Sequence, residues 1–338
     1  MTESSEGAIA IAKPAPNPKP GGPMVVALDL GNFQSTAIAG SKYTTVRSIY
    51  SRLPKRVVPS PSASSPIVEM DGERFHVGEK AQDYRGFQAA LIGDKTTCAR
   101  LLFQSTVPMN AIAAGSVELV VTHHSWDAPG VQTQLRRSLA GEHEFFRNGK
   151  SHRLVVEKVT IVPEAFGVWH WAFPSGQHSA CSMVVDIGGG SWVAGVLDEH
   201  GNPLDTALDT RAGVVQLATN ISLDERFLEA FRKRSSGAPK IPAIMAGLAE
   251  DNRYFRSPDV DWSDWYGELV ADWWRTIVGS VQNRFHDWRD RCDRMIVVGG
   301  GAHLIKDRIP KGGAIIVPDP PHLAAIAGTL KAYTRRAP

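Results

Sequence analysis

Cysteine is scarce. The three that occur, Cys98, Cys181 and Cys292, lie far apart. That spacing is neither a disulfide framework nor a set of metal ligands, and it suggests a reducing, cytoplasmic compartment. An excess of charge of one sign is also missing. Lys and Arg number 37 against 35 Asp and Glu, for a formal net charge of +2, which makes no case for a protein that coats nucleic acid. No apolar run reaches the length of about 18 residues that reads as a membrane span, so neither a transmembrane helix nor a membrane partner is expected. Residues 1–23 lack the basic start and long apolar stretch of a secretory signal. Their Pro, Gly and Ser content reads as a disordered tail.

With 338 residues, 43% of them hydrophobic, the chain can bury a sizeable core. Tryptophan is abundant, and several cluster in "DWSDWYGELVADWWRTIVGSVQNRFHDW". Trp262, Trp265, Leu269, Val270, Trp273, Ile277 and Val281 recur there at three- and four-residue spacing, the pattern of a long amphipathic helix packed on a core. The competing reading is an aromatic cage for a ligand.

The first ordered element is "MVVALDL", an apolar run ending in an acid, and "STAIA" after its turn continues as a strand, giving a β-hairpin. Residues 41–95 are richer in Pro, Ser and charge and read as a small insertion of short strands. A helix is expected over 96–115, interrupted at Pro108, then a strand at "SVELVVTHH" and a helix at "APGVQTQLRRSLAG". An Asn-Gly pair between strand-like runs marks a second hairpin. "EAFGVWHWAF" is expected to be a helix entered through Pro163. Another hairpin follows in "VVDIGGGSWVAGVLDEHGN", then a mostly helical stretch over 213–289. "RMIVVGGGAHLI" reads as strand, glycine turn and helix, and "PPHLAAIAGTLKAY" as a C-terminal helix.

Three readings compete for "DIGGG". A dinucleotide turn needs G-x-G-x-x-G between strand and helix, but here a strand follows and the glycine spacing differs. A purely structural turn is the second reading. The third is a phosphate loop whose backbone N–H groups line an anion nest, with the neighbouring acid serving a hydrated Mg²⁺, an ion that takes oxygen ligands and keeps several waters. The third gains from its company. "VALDLGNFQSTAIAG" repeats the pattern of apolar strand, Asp, apolar residue, Gly and second strand, so Asp29 and Asp186 occupy equivalent strand ends. "VVGGGAHL" adds a third glycine turn, able to approach a base or sugar closely or to set a helix N-terminus near phosphate.

The ordered set "LDLGNFQSTAIA", "VPEAFG", "VVDIGGGSWVAGV" and "IVVGGGAHLI" resembles the actin superfamily, from residue 24 to about 330. Within it the chain is most similar to bacterial plasmid-segregation actins of the ParM type. The resemblance implies an α/β fold of two ribonuclease-H-like domains around a nucleotide cleft, each with an inserted subdomain. Domain I would span 24–180, with an insertion at 41–95 and completion by a helix at 318–338. Domain II would span 181–317, with an insertion at 213–289. It further implies an ATP- or GTP-dependent, Mg²⁺-requiring triphosphatase that forms filaments of itself and meets DNA only indirectly, through a ParR-like adaptor.

Carried onto this sequence, Asp29 and Asp186 would serve the metal. The backbone of Gly31, Asn32, Phe33 and Gln34 would meet one phosphate, and Gly188, Gly189, Gly190 and Ser191 would enclose the others. Gly299, Gly300 and Gly301 would approach the adenosine, and Glu164 would position the attacking water. Read on its own, Glu164 is equally a helix-start acid. Thr36 stands in the nucleotide site where many actins carry a phosphate-binding lysine, so one neutralising charge is missing or comes from elsewhere. Trp192, directly after the loop, is expected to point into the sheet. A non-polymerising kinase of the same superfamily and a scaffold or MreB-like ATPase are the alternatives. The kinase would need an acceptor pocket, and no acceptor motif is evident.

Overall fold

The computed structural model describes residues 7–8, 22–89, 95–172, 180–233, 240–255, 260–310 and 312–336. It divides into two compact units, Met1–Pro174 with Ala325–Pro338, and Ser175–Ala324.

The first unit contains β1 (Gly7–Ala8), β2 (Met24–Leu30), β3 (Gln34–Ala39), β4 (Lys42–Arg47), β5 (Ile49–Arg52), β6 (Ile67–Met70), β7 (Glu73–Val77) and β8 (Gln88–Ala89). It continues with α1 (Lys95–Thr106), α2 (Met109–Ala114), β9 (Ser116–His123), α3 (Pro129–Leu139), β10 (Gly141–Arg147), β11 (Lys150–Pro163) and α4 (Val168–Ala172). Its strands form one sheet in the order β1-β4-β3-β2-β9-β11-β10-β6-β7-β5-β8. The hairpins β2–β3 and β3–β4 are antiparallel, while β9 runs parallel to β2 and β11 parallel to β9. The strands of segment 41–95 therefore extend this same sheet. The β10–β11 turn uses Asn148 and Gly149 at φ 55 and 78, the conformation that makes Asn-Gly a hairpin signal. Most of the expected tail lies outside the described residues. Within it, Gly7 and Ala8 pair with Tyr43 and Lys42 on β4.

The second unit contains β12 (Cys181–Ile187), β13 (Trp192–Asp198), β14 (Pro203–Asp209), α5 (Val214–Leu223), α6 (Glu225–Arg232), α7 (Ile241–Ala249), β15 (Tyr254–Phe255), β16 (Val260–Asp261), α8 (Tyr266–Arg284), β17 (Arg294–Val298) and β18 (Ile315–Ile316). Its main sheet is ordered β14-β13-β12-β17-β18. Two antiparallel pairs, β13–β14 and β12–β13, are followed by two parallel ones, β12–β17 and β17–β18. This repeats the β4-β3-β2-β9-β11 arrangement strand for strand, the ribonuclease-H-like order expected of both halves. The likeness between the "LDLG" and "VDIG" hairpins is thus the visible part of a repeated topology.

Helix α9 (Pro321–Arg336) explains why β2 is apolar on both faces. Val26 and Leu28 pack with Leu102 and Phe103 of α1 and Leu135 of α3, while Ala27 packs with Ile38, Ile326 and Leu330 on the other side. A strand covered by helices on both faces reads as a continuous hydrophobic run. Only its last acid, Asp29, breaks the pattern.

Three expectations need correction. The tryptophan-rich helix begins at Tyr266, so Trp262 and Trp265 precede it. Trp262 is fully buried, meeting Phe227, Phe255 and Tyr266 ring to ring, which makes the cluster core rather than cage. The cysteines are not all separate: Cys181 and Cys292 form a disulfide with their Cα atoms 4.6 Å apart, so the cysteines give no argument for a reducing compartment. The parallel pairing of β12 with β17 brings these distant positions to neighbouring strand starts. Finally, "GGGAHLI" does not open a helix. Ala302–Leu304 and Lys306–Arg308 are single 3₁₀ turns, too short to offer the aligned dipole of a helix N-terminus.

Candidate functional site

In the first unit the site grows from one row across the sheet. Asp29 is paired in register with Thr36 on β3 and with Thr122 on β9, and Thr36 is paired with Thr45 on β4. Laterally paired residues share a face, so three threonines line up with one acid. The Thr122 hydroxyl donates to Asp29 Oδ1 at 2.9 Å. Thr36, 3% exposed, has its hydroxyl 3.0 Å from that of Thr45.

The turn after Asp29 is clamped by the last residue of β4 and the one that follows it. Ser48 Oγ donates to the Gly31 carbonyl at 2.6 Å, Ser48 N–H donates to the Phe33 carbonyl at 2.9 Å, and the Arg47 guanidinium lies 3.7 Å from the centre of the Phe33 ring. A Cβ at Gly31 would overlap the Gln34 carbonyl. The chain can therefore turn this tightly over Gly31, Asn32, Phe33 and Gln34 only with glycine at the first position.

Glu164 follows β11. The parallel register sets Pro163 against His123, and Glu164 N–H donates to the His123 carbonyl at 3.3 Å. Ala165 then takes φ 74, a sparsely populated conformation for a non-glycine residue. Helix α4 begins only at Val168 and is five residues long. This corrects the helix-start reading: Glu164 is a strand-end carboxylate. Its Oε2 lies 3.7 Å from His124 Nδ1 and 3.9 Å from Lys95 Nζ, with the Glu164 side chain 17% exposed and that of Lys95 9%. The His123 and His124 rings stack at 4.4 Å.

The two carboxylates are driven apart. Burial pushes Asp29 up, to about 6, and the Glu164 charge adds to it, against the Lys95 ammonium and the Thr122 hydroxyl. Burial also works to raise Glu164, but Lys95 and His124 prevail and hold it at about 2. Separated acidities on neighbouring acids are how a site assigns them different tasks. Glu164 is the permanently ionised member; Asp29 is the one whose charge its buried surroundings resist.

In the second unit Asp186 pairs with Val193 and Val298, and the hairpin turn closes through Gly188 N–H donating to the Ser191 carbonyl at 2.8 Å. The start of α5 seizes this loop. Val214 and Val215 N–H donate to the Gly188 and Gly189 carbonyls at 3.1 and 2.7 Å. In a trans peptide the N–H points opposite its C=O. The amides of Gly189 and Gly190 therefore face away from α5. Gly213 makes this contact possible, since a Cβ there would overlap Ser191 N and the Gly190 carbonyl carbon.

The third turn lies against the same acid. Gly301 N–H donates to the Ile187 carbonyl at 2.8 Å. Gly299 sits at φ 89, where a Cβ would overlap the Asp186 carboxylate; a Cβ on Gly301 would press Ile187 and Val214, while Gly300 faces open space. Trp192 is 4% exposed and lies in register with Ile187 and Asp209, inside the sheet as expected.

Asp29, Gly31–Gln34, Thr36 and Glu164 thus gather in the first unit, and Asp186, Gly188–Ser191 and Gly299–Gly301 in the second. Sequence reasoning missed Arg47, Ser48, Lys95, Thr122, His124 and Gly213. Of these only Gly213, a glycine directly before an apolar helical run, carried a local signal. Among the described residues no helix is long and apolar enough to cross a membrane, and no three His, Cys, Asp or Glu side chains cluster to hold a metal. Taken separately, the Asp29 carboxylate with the Thr122 hydroxyl beside it and the strand-end Asp186 carboxylate are each the kind of oxygen donor that a hard, hydrated cation takes.

Comparison with known proteins bears on the fold. Residues 27–167 match the family model for the N terminal domain of actin like proteins. Among solved structures, the chain is similar to an archaeal actin homolog, with TM-score 0.72, 18% identity and coverage of 92% of this chain and 99% of that one. The ADP complex of that homolog matches with TM-score 0.71 and 18% identity over 92% and 99% of the two chains. A 15-stranded ParM filament from Clostridium botulinum matches with TM-score 0.68 and 15% identity over 93% and 99%. No curated protein matches in sequence. The fold is actin-like.

Proposed function

We propose that this chain, actin-like in fold and matched over residues 27–167 to the actin like proteins, is a nucleotide-dependent polymerising actin homologue that hydrolyses ATP or GTP. The observation that carries the reading is the repeated one. Each unit carries an acid near the end of its central strand, Asp29 or Asp186, and follows it with a glycine turn packed tightly on backbone: a Cβ at Gly31 would overlap the Gln34 carbonyl, and a Cβ at Gly213 would overlap the Gly190–Ser191 backbone. Such turns present backbone N–H groups at close range, as phosphate recognition requires.

The roles follow from chemistry. Phosphoryl transfer to water asks mainly for positioning and charge neutralisation. Asp29 and Asp186 are the groups that would hold Mg²⁺ through its waters, and when bound the ion would neutralise charge on the phosphates. The amides of Gly31–Gln34 and of Gly188–Ser191 would bind phosphate oxygens, with Thr36 beside them. Gly299–Gly301 would give the adenosine or guanosine a close, side-chain-free wall. Glu164, held ionised, orients the attacking water and accepts its hydrogen bond.

Self-association is the output of this reading. Head-to-tail contacts that do not close give helical filaments, and a filament from Clostridium botulinum is among the similar structures. We further propose plasmid segregation through a ParR-like adaptor that holds the DNA; the near-balanced charge of +2 supports indirect rather than direct DNA contact. A machine that consumes nucleoside triphosphates and moves plasmids belongs in the cytoplasm. Light scattering and pelleting with and without Mg-ATP or Mg-GTP test the core of the proposal. Nucleotide-dependent assembly is expected, and its absence over a wide concentration range refutes the filament.

A further inference from the structure

Lys95 is in the wrong place for stability. It is the first residue of the twelve-residue helix α1, whose first turn holds no acid. A helix N-terminus carries partial positive charge and disfavours a cation. The side chain is also 9% exposed, and a buried ammonium is costly unless paired and hydrogen-bonded. Its ion-pair partner among the described residues is Glu164, at 3.9 Å. That distance is an ion pair without a direct hydrogen bond, so the ammonium is held near the carboxylate while its donors are not spent on it. Two unfavourable placements for one loose pair point to a task other than holding the fold.

The site also lacks something. Position 36, in the row with Asp29, holds a threonine whose hydroxyl is turned to Thr45. The Arg47 guanidinium at the first turn lies over the Phe33 ring. A triphosphate with its metal still needs a cation at the phosphate being transferred.

We infer that Lys95 is the phosphate-neutralising cation of this site, supplied from α1 in place of residue 36, and that it acts on the terminal phosphate because it is held beside Glu164. The inference rests on the nucleotide-hydrolase reading above. Lys95 then has two duties: it keeps Glu164 ionised, and it donates to the oxygens that gain charge when water attacks.

The test separates these duties. Lys95→Met alone strands the Glu164 charge and risks the fold, so Lys95→Met/Glu164→Gln, which removes both charges, is compared with Glu164→Gln. Binding of a non-hydrolysable ATP analogue, its GTP counterpart and ADP, each with Mg²⁺, is measured by calorimetry. Loss of a charge-assisted contact predicts that the double variant binds the triphosphate about tenfold to a hundredfold more weakly than Glu164→Gln. It also predicts a much smaller loss for ADP, and substantial recovery in Lys95→Arg/Glu164→Gln. Equal triphosphate binding by the double and single variants overturns the inference and leaves Lys95 as a counter-charge to Glu164. Equal losses for triphosphate and ADP overturn its assignment to the terminal phosphate. If the unaltered chain binds none of the nucleotides, the functional reading fails first and this inference with it.

Discussion

Replacing Asp29 by asparagine should stabilise the nucleotide-free protein while weakening Mg-nucleotide binding. The folded environment lifts this carboxyl from 3.8 to about 6, by burial first and the Glu164 charge second. A native pKa above the unfolded one penalises the ionised native form. The penalty is absent below about pH 4, grows as pH rises between the two values, and is complete above about pH 6. At about 1.4 kcal/mol for each tenfold change in acidity, it amounts to about 3 kcal/mol at pH 8 and roughly half of that at pH 5. Asparagine keeps the side-chain shape and still offers an oxygen to the Thr122 hydroxyl, 2.9 Å away in the native protein, but carries no charge for Glu164 to repel. For a domain of this size the gain corresponds to a rise in Tm of roughly 6–12 °C at pH 8. Thermal and urea unfolding of both proteins without nucleotide, at pH 5 and pH 8, measure it. The reasoning is refuted if Asp29→Asn is no more stable at pH 8, or if its advantage is the same at both pH values.

Other positions give equally direct outcomes. Glu164→Ala should slow nucleotide hydrolysis by roughly a hundredfold or more yet leave assembled polymers long-lived; unchanged phosphate release would make Glu164 merely structural. Gly299→Ala combines an unfavourable positive φ with overlap on the Asp186 carboxylate, so Mg-dependent turnover should fall by about a hundredfold through misplacement of that acid. Gly328→Ala tests packing away from the site. Its Cβ would overlap the Gly167 carbonyl, where α9 meets the segment after Glu164, and overpacking there should cost about 2–3 kcal/mol in urea unfolding.

The parts of this site legible in the sequence are the local ones. An acid closing an apolar run, then glycine, then a second strand occupies a few residues and recurs at Asp29 and Asp186. The repeated strand order 4-3-2-9-11 and 14-13-12-17-18 follows from that recurrence once each acid is placed at a central strand end. What was not legible depends on partners distant in sequence. Thr122 reads as one more strand residue until the parallel register sets it beside Asp29. Gly213 reads as an ordinary helix start until the Gly188–Ser191 loop folds onto it. Cys181 and Cys292 look unrelated until β12 and β17 pair. The helix expected after Gly301 fails for a different reason. Its i→i+3 bonds, such as Ile305 N–H to the Ala302 carbonyl at 3.2 Å, close single turns, and Pro310 follows before a helix can extend.

Two places where local rules are broken lie on either side of one carboxylate. Ala165, directly after Glu164, takes a positive φ at 2% exposure, a conformation that costs about 1–3 kcal/mol. Lys95, facing Glu164 from α1, is a buried cation at the positive end of a helix. Neither cost is returned by local packing or propensity. Both are accounted for if what the fold must hold in place is an ionised Glu164 with an ammonium within reach, because hydrolysis at a terminal phosphate needs one group to orient water and another to meet the charge that develops. Relieving the backbone misfit while leaving both charges in place, as Ala165→Gly would, should therefore raise stability and not rate.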